Sequence, residues 1–286
     1  NALDADTDGT GCVAIGHNAF TSLTAGSHNL AIGYQACNDA TNVTDACLIG
    51  YNVGRLLTTG DANTIVGSHA FDAATTATQN TGIGHAVLSD VTTASGNTAV
   101  GRVSLVAVTT GSNNTACGAA TGTNISTGQQ NVCLGLSAGD NITTGSNNIC
   151  LGSFSNPAAA DSANTITLGS SSISTLRCQV QTISSLSDER DKTNITDSVD
   201  GLNIINLLKP KKFTWAMREP SANNGRTELG FIAQDIDTAL GDKNDYIHAI
   251  SKENPDKLEA AYGRFIPIMV KAIQELSAKV TALEAG

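Results

Sequence analysis

Few residues in this sequence have the side-chain types and spacing needed for nucleophilic catalysis. The clearest pair is Ser187 and Lys192, five residues apart. A serine hydroxyl is a poor nucleophile until a base removes its proton, and a lysine can be that base only when it is neutral. A neutral lysine near pH 7 needs a pKa lowered from about 10.4 to near 7, through burial or nearby positive charge. Arg190 could supply the charge and a subunit interface the burial. Taken alone, a serine and a lysine at this spacing are typical of a solvated loop.

Two further sets of residues have ligand chemistry. The segment Asp-Ala-Asp-Thr-Asp-Gly at 4–9 has the spacing that begins an EF-hand calcium loop, but Ile15 stands at the twelfth position, where a bidentate Glu is needed. We therefore expect an acidic capping turn and no metal. The seven cysteines have no paired short spacing, so neither a zinc site nor a disulfide framework is indicated. Cys133 and Cys150 are the one pair whose spacing makes a bond worth testing. No cofactor is expected.

The charged residues divide the chain in two. Residues 1–170 contain two basic residues, Arg55 and Arg102, against ten Asp, with no Lys and no Glu. From Ser187 onward there are 13 Lys and Arg against 16 Asp and Glu, together with the only Trp and four of the five Pro. Such a change in charged-residue composition marks two structurally distinct units.

We accordingly expect a repeat domain at 1–169, a linker at 170–186 and a second domain at 187–286. Alternation of Leu176, Cys178 and Val180 predicts that the linker is a β-strand. The formal charge of −10 argues against binding to nucleic acid, and no apolar run is long enough for membrane insertion. Because the chain begins with Asn and has no signal segment, we expect it to be a piece of a longer protein.

Glycines recur with a strict period of 17 residues. They are Gly16, Gly33, Gly50, Gly67, Gly84, Gly101, Gly118, Gly135, Gly152 and Gly169. Seventeen residues are too few for two helices, whereas short runs such as Asn-Leu-Ala-Ile-Gly predict four-residue strands. The pattern therefore predicts a mainly β solenoid of ten coils, about 48 Å long at roughly 4.8 Å per coil.

Several columns accompany the glycines at the same period. The residue before each glycine is apolar, as in Ile15 and Ile32, and we expect this column to face a core. The smaller column before it, such as Ala31 and Ala99, is expected to leave room for neighbouring chains. Asn stands four residues before seven of the glycines, and Thr pairs form another column. These side chains can hydrogen-bond from coil to coil.

The residue after each glycine forms a stripe that could contact a receptor. Its members in the early coils are His17, Tyr34, Tyr51, Ser68, His85 and Arg102. Tyrosine and histidine side chains are suited to binding sugars or proteins. The alternative is a surface stripe with no ligand.

The last twenty residues have the pattern of an associating helix. Ile266, Met269, Ile273, Leu276, Val280 and Leu283 follow an a/d spacing. The pattern predicts a helix over about 266–285, starting near Pro267. By their core residues alone these heptads favour a coiled coil of two helices. The alternative is a helix that packs on its own domain.

Two resemblances to known families follow from these motifs. The 17-residue units resemble the head repeats of trimeric autotransporter adhesins and related bacteriophage tail-fibre shafts, which implies a trimeric β-roll. The segments 187–195, 208–215, 229–235 and 262–276 resemble the self-cleaving intramolecular chaperone domain found at the end of endosialidases and other phage tail spikes and fibres. This second resemblance implies a small α+β domain that assembles the upstream chain as a trimer and then releases itself.

The resemblance also implies the roles of individual residues. Ser187 would be the nucleophile, Lys192 the base, and Leu186-Ser187 the cleaved bond. Ten similar coils specify register poorly, because three chains shifted by one coil still match in nearly every column. A compact unit that trimerises first would align them.

The function expected from the sequence is that of a virion tail-fibre protein assembled in the host cytoplasm. Its expected partners are two further copies of itself, upstream fibre or tail components, and a host receptor or glycan. Enzyme activity is expected only as single-turnover self-cleavage. One alternative is a tail-spike polysaccharide depolymerase, although the repeat domain has no Glu or Trp for such a site. Another is an ice-binding Thr-ladder solenoid, which leaves the carboxyl-terminal domain without a role.

Overall fold

The computed structural model describes residues 2–179, 186–218 and 224–286. The chain divides into two compact units, Asn1–Ser170 and Ser171–Gly286.

The first unit is a β-solenoid, as predicted. Ten short strands pair in sequence order in one parallel sheet, and each residue pairs with the residue 17 positions later, as Val13 does with Leu30. The ten strands bound nine complete turns of the solenoid. They are β1 Val13–Ile15, β2 Leu30–Ile32, β3 Cys47–Ile49, β4 Thr64–Val66, β5 Thr81–Ile83, β6 Thr98–Val100, β7 Thr115–Cys117, β8 Val132–Leu134, β9 Ile149–Leu151 and β10 Ile166–Leu168. Each has three residues, so the predicted length of four is wrong by one.

The prediction of which column faces the core is also wrong. The middle residue of the strand points inward, so that Ala31 and Ala99 are fully buried in the column expected to admit neighbouring chains. The residue before the glycine points outward, and Ile15 and Leu168 are 57% and 54% exposed. Successive side chains of a strand alternate between its two faces, and a three-residue strand here directs one of them inward. Larger side chains from the rest of the coil, such as Phe20, fill the interior.

The interior is filled differently from coil to coil. Leu48 occupies the inward position of β3, and six residues later stands Gly54, where an added Cβ would lie 2.5 Å from Leu48 Cδ2. In β5 the two residue types are exchanged: Gly82 occupies the inward position and Leu88 follows six residues later. In these two coils a large side chain at one position is matched by a glycine at the other, whereas the coil of β4 buries large side chains at both, Ile65 and Phe71.

The periodic glycines are required by the close approach of successive coils. Gly33 has φ of +137°, and an added Cβ would lie 2.1 Å from the carbonyl oxygen of Gly50. Neither the backbone conformation nor the space admits a side chain.

Two polar ladders follow the solenoid axis. Buried Asn97 donates through Nδ2 to Asn80 Oδ1 at 3.2 Å and to the Gly111 carbonyl at 3.0 Å, and its Oδ1 accepts from the backbone N–H of Asn114 at 3.0 Å. Thr58 Oγ1 donates to the carbonyl of Thr75 at 2.8 Å. The predicted coil-to-coil hydrogen bonding of Asn and Thr is therefore present. The Asn column is interrupted by Ala46, which is also buried.

The second unit is a small α/β region. Its helices are α1 Leu202–Ile205, α2 Ala233–Leu240, α3 Asn244–Ile247 and α4 Ile266–Glu284, and its strands are β11 Lys211–Thr214, β12 Thr227–Gly230, β13 Ile250–Ser251 and β14 Glu259–Ala260. Strands β11 and β12 pair antiparallel, as do β13 and β14. Ile204, Ile236, Leu240 and Phe265 lie at the centre of its core. Among the described residues no helix has the length and apolar character needed to cross a membrane.

The linker differs from its prediction where it is described. Residues 171–179 contain no strand. The remainder of the alternating pattern, including Val180, lies in 180–185, outside the described residues.

Candidate functional site

A short 3-10 turn brings Ser187 and Lys192 together. Asp188 begins the turn, because its Oδ1 accepts the backbone N–H of Arg190 at 2.9 Å. The turn covers Glu189–Asp191, and the Lys192 N–H closes it by donating to the Glu189 carbonyl at 3.1 Å. Side-chain capping of this kind stabilises a turn that reverses the chain direction locally.

The resulting contact is close. Lys192 Nζ donates to Ser187 Oγ at 2.6 Å and to the Ser187 carbonyl oxygen at 3.0 Å. Both side chains are exposed, and the preceding residue, Leu186, is 98% exposed. The arrangement places an amine within proton-transfer distance of a hydroxyl next to an accessible peptide bond. It supplies geometry without the burial that favours a neutral lysine.

The charge expected from Arg190 is already paired. Its Nε lies 3.0 Å from Asp188 Oδ1 and its Nη2 lies 2.6 Å from Oδ2, a two-bonded ion pair. The guanidinium lowers the pKa of Asp188, and the carboxylate in turn raises the pKa of Arg190. Arg190 therefore does not act as an uncompensated positive charge beside Lys192 in the single chain.

A buried carboxylate that sequence reasoning missed anchors the segment after this loop. Asp200, 6% exposed, accepts hydrogen bonds from Lys243 Nζ, the Tyr246 hydroxyl and Asn203 Nδ2. Hydrogen bonding to Lys243 is the main cause that lowers the pKa of Asp200, followed by the bond from Tyr246. Nothing in the local sequence distinguishes Asp200 from other acidic residues, because the two partners that lower its pKa most, Lys243 and Tyr246, are more than 40 residues away.

The predicted a/d seam of the last helix lies on an open surface. Ile273 is 65% exposed and Leu283 81% exposed. The helix packs on its own domain through a different face, where Ile268 and Ala272 are buried. Glu275 Oε2 accepts the backbone N–H of Leu202 at 3.0 Å. The seam is therefore not the surface by which α4 attaches to its own domain.

The predicted receptor stripe forms a row of exposed rings. His17 stacks on Tyr34 and Tyr34 on Tyr51, each pair with centroids 5.4 Å apart. His85 joins the row only through His69, which lies edge-on to Tyr51 at 5.1 Å and to His85 at 6.2 Å. His69 was missed because it stands one residue after the column position, which Ser68 occupies. Arg102 is exposed one coil beyond His85.

The other candidate ligand residues have structural settings. Asp6 Oδ1 accepts the Gly9 N–H at 2.7 Å, which is the acidic capping turn predicted from the sequence. Cys133 and Cys150 are register partners in adjacent strands, and both are buried free thiols. Within 2–179, 186–218 and 224–286, no group of three or more His, Cys, Asp or Glu is placed to hold a metal.

Comparisons with known proteins place this loop at the beginning of a family match. Residues 187–243 match the family described as chaperone of endosialidase. The uncharacterized protein VP1 of Micromonas pusilla reovirus (isolate Netherlands/2005) is 55% identical over 60 residues, which are 20% of this chain and 3% of the reovirus protein. This chain thus spans a small fraction of that relative's length. No solved structure matches the chain. The family match starts at the serine that contacts Lys192.

Proposed function

We propose that this chain, whose residues 187–243 carry a chaperone-of-endosialidase domain, aligns three copies of its β-solenoid and then cuts itself between Leu186 and Ser187. The domain and the viral relative support a phage tail-fibre-type protein. The finer proposal rests on one observation, the 2.6 Å contact between Lys192 Nζ and Ser187 Oγ at the start of the domain.

The proposed reaction is an acyl shift followed by hydrolysis. Neutral Lys192 removes the proton from Ser187 Oγ, which attacks the carbonyl carbon of Leu186. The bond between that carbon and the Ser187 nitrogen breaks, and the nitrogen takes the proton from Lys192. Water then hydrolyses the ester between Leu186 and Ser187 Oγ, leaving a carboxylate on Leu186 and a free amine on Ser187.

Assembly would activate this pair by burying it. In the single chain Lys192 is exposed, and its Nζ donates to Ser187 Oγ. A lysine can accept the hydroxyl proton only as a neutral amine. A subunit interface that excludes water would favour the neutral amine. Cleavage would then occur only in correctly assembled molecules.

Two exposed apolar surfaces support self-association. The outward column of the solenoid runs its full length, with Ile15 57%, Ile83 47% and Leu168 54% exposed. The a/d seam of α4 is a second such surface. Contiguous exposed apolar residues on a folded protein commonly mark an interaction surface. Because the columns repeat with one period, a second copy of the same chain matches them along their whole length. The assembled solenoid would then serve as a host-contacting segment of the virion.

Intact-mass analysis tests the cleavage. The wild-type chain, once assembled, should yield fragments of residues 1–186 and 187–286. Ser187→Ala and Lys192→Gln should remain whole, whereas Thr193→Ala, which removes a neighbouring exposed hydroxyl, should be cut like the wild type. An assembled wild-type chain that stays intact, or a Ser187→Ala chain that is cut, contradicts the proposal. The cleavage rate should also rise with protein concentration, and equal rates in dilute monomer would contradict activation by assembly.

A further inference from the structure

The row of rings on the solenoid changes character at His69. Because Tyr34 stacks on His17 and Tyr51 on Tyr34, with interplanar angles of 10° and 13°, these rings cover one another's faces and present edges to solvent. His69 is turned by 70° from Tyr51 and by 71° from His85. His69 is therefore stacked face to face with neither Tyr51 nor His85, unlike the rings before it.

A groove lies beside His69. It has a volume of about 300 Å³ and is lined by Leu56, His69, Asp72, Ala73, Ala86, Ser89 and Asp90. The lining residues fall in three columns with the 17-residue period. Ala73 follows Leu56 in one of them, and Ala86 follows His69 in another. The groove thus opens where two columns change from a large side chain to alanine.

The polar groups of the groove favour a neutral ligand with hydroxyl groups. Asp72 is bound to Arg55 at 3.3 Å, so its charge is largely compensated, and both side chains remain about a third exposed, at 35% and 37%. Asp90 accepts from Ser89 Oγ at 3.1 Å and keeps further acceptor capacity. Carboxylate oxygens beside an imidazole ring suit a ligand that has both hydroxyl donors and an apolar ring face. A sugar ring has both.

The negative charge of the solenoid disfavours binding of acidic sugars. The repeat domain contains ten Asp against two Arg, so a sugar carrying a carboxylate would meet like charge at the groove. We propose that the groove formed by His69, Asp72 and Asp90 binds a neutral hexose unit of a host-surface glycan. This proposal rests on the host contact proposed above and adds to it the site and the class of ligand.

Variants of the groove can be chosen to preserve the backbone. His69 has φ of +54°, a conformation that asparagine tolerates better than most residues, so His69→Asn removes the ring at low conformational cost. Ala73→Leu fills the groove with the residue that already occupies the same column at Leu56. His28→Asn is the matched control, because His28 is also exposed, has φ of +59° and lies in another column.

The test measures binding of the full-length chain to immobilised neutral gluco-, galacto- and manno-oligosaccharides and to oligosialic acid. We expect wild-type protein to bind a neutral sugar, His69→Asn and Ala73→Leu to lose affinity by roughly tenfold or more, and His28→Asn to bind like the wild type. Absence of binding to every neutral sugar, binding to oligosialic acid alone, or unchanged affinity of both groove variants would overturn the proposal. Adsorption of the same proteins to host cells separates the two ideas. Wild-type adsorption that the groove variants retain leaves host contact standing without this site, and no adsorption at all removes the proposed host contact itself.

Discussion

Asp188 and Arg190 hold each other across the turn that joins Ser187 to Lys192, through bonds of 3.0 and 2.6 Å between the guanidinium and the two carboxylate oxygens. Asp188 also caps that turn through the Arg190 N–H. The Asp188 side chain thus fixes the geometry of the Ser187–Lys192 pair. It also neutralises Arg190, the basic residue nearest to Lys192 in sequence.

Asp188→Asn should separate these two effects. Asparagine is as good a cap as aspartate, so the turn should persist while Arg190 loses its counter-charge. Uncompensated positive charge favours the neutral form of a nearby lysine, so the pH at which cleavage is half-maximal should fall and cleavage at pH 6 to 7 should rise by roughly two- to tenfold. The measurement is the pH profile of the cleavage rate. Asp197→Asn, the same change of charge at an exposed residue outside the turn, is the control, and an equal shift in both variants would contradict a specific role for Asp188.

The seam of α4 should be needed for assembly. Ile273→Ser reduces an exposed apolar contact without touching the buried face of the helix, so the monomer should remain folded while association and cleavage both weaken. Lys279→Ser, an equally exposed change on the same helix, should have little effect. Analytical ultracentrifugation and intact mass, measured on the same samples, check both. Full association of Ile273→Ser would show that the seam does not join subunits.

Asn97→Ala should destabilise the solenoid. The change removes two donated hydrogen bonds and leaves the buried N–H of Asn114 without its acceptor, at a cost of about 1–3 kcal/mol. The opposite change, Ala46→Asn, extends the ladder at its interruption and should raise stability by up to about 1 kcal/mol. Denaturant unfolding at a fixed protein concentration provides the comparison, with exposed Thr93→Ala as control. Equal midpoints for Asn97→Ala and Thr93→Ala would contradict the energetic role given to the ladder.

Gly33→Ala should be more damaging than a glycine substitution that introduces strain alone. At Gly33 the methyl group would lie 2.1 Å from a carbonyl oxygen of the next coil, whereas at Gly225, which also has positive φ, nothing lies within 4 Å of it. Gly225→Ala should therefore cost about 1–3 kcal/mol from backbone strain, and Gly33→Ala should cost more and reduce the yield of folded protein. Circular dichroism and denaturation midpoints measure both. Similar losses in the two variants would show that the approach of the coils is not the constraint.

Asp200 should make the stability of the second unit depend on pH. Because Lys243 and Tyr246 lower the pKa of Asp200, its stabilising contribution is complete above the pKa of an unfolded aspartate, near 3.9, and is lost as pH falls through the lower pKa of the folded state. Asp200→Asn should lower the free energy of unfolding at pH 7 by about 1.5–3 kcal/mol and flatten its decline towards pH 3. Exposed Asp197→Asn is the control. An unchanged acid limb in Asp200→Asn would contradict this assignment.

The solenoid and the site differ in how much of each could be predicted from sequence. The glycine period predicts the coil length, because backbone contact between coils permits no Cβ at positions such as Gly33. The same period does not reveal which column points inward, since apolar and small residues alternate along a three-residue strand and both Ala31 and Ile32 are compatible with a core. The direction is decided by side chains elsewhere in the coil, such as Phe20 and Leu23, that already occupy the interior.

Local chemistry was predictable and distant chemistry was not. The proximity of Ser187 and Lys192 follows from a capped turn within six residues. Lys243 and Tyr246, which bind Asp200, lie 43 and 46 residues from it, and no spacing in the sequence indicates them. His69 stands one position outside its column, so a search by period passes over it, although its ring completes the row.

The matched interior of the coils gives the solenoid an asymmetry between its inside and its outside. Leu48 with Gly54, and Gly82 with Leu88, give these two turns different interior shapes, whereas the outward column repeats with one period. A neighbouring molecule would contact only the outer surface of the solenoid, where similar residues recur every 17 positions. Turns of one chain therefore differ inside the solenoid while their outer surfaces remain alike, and under the proposed function a separate carboxyl-terminal domain would set the alignment that these outer surfaces leave undetermined.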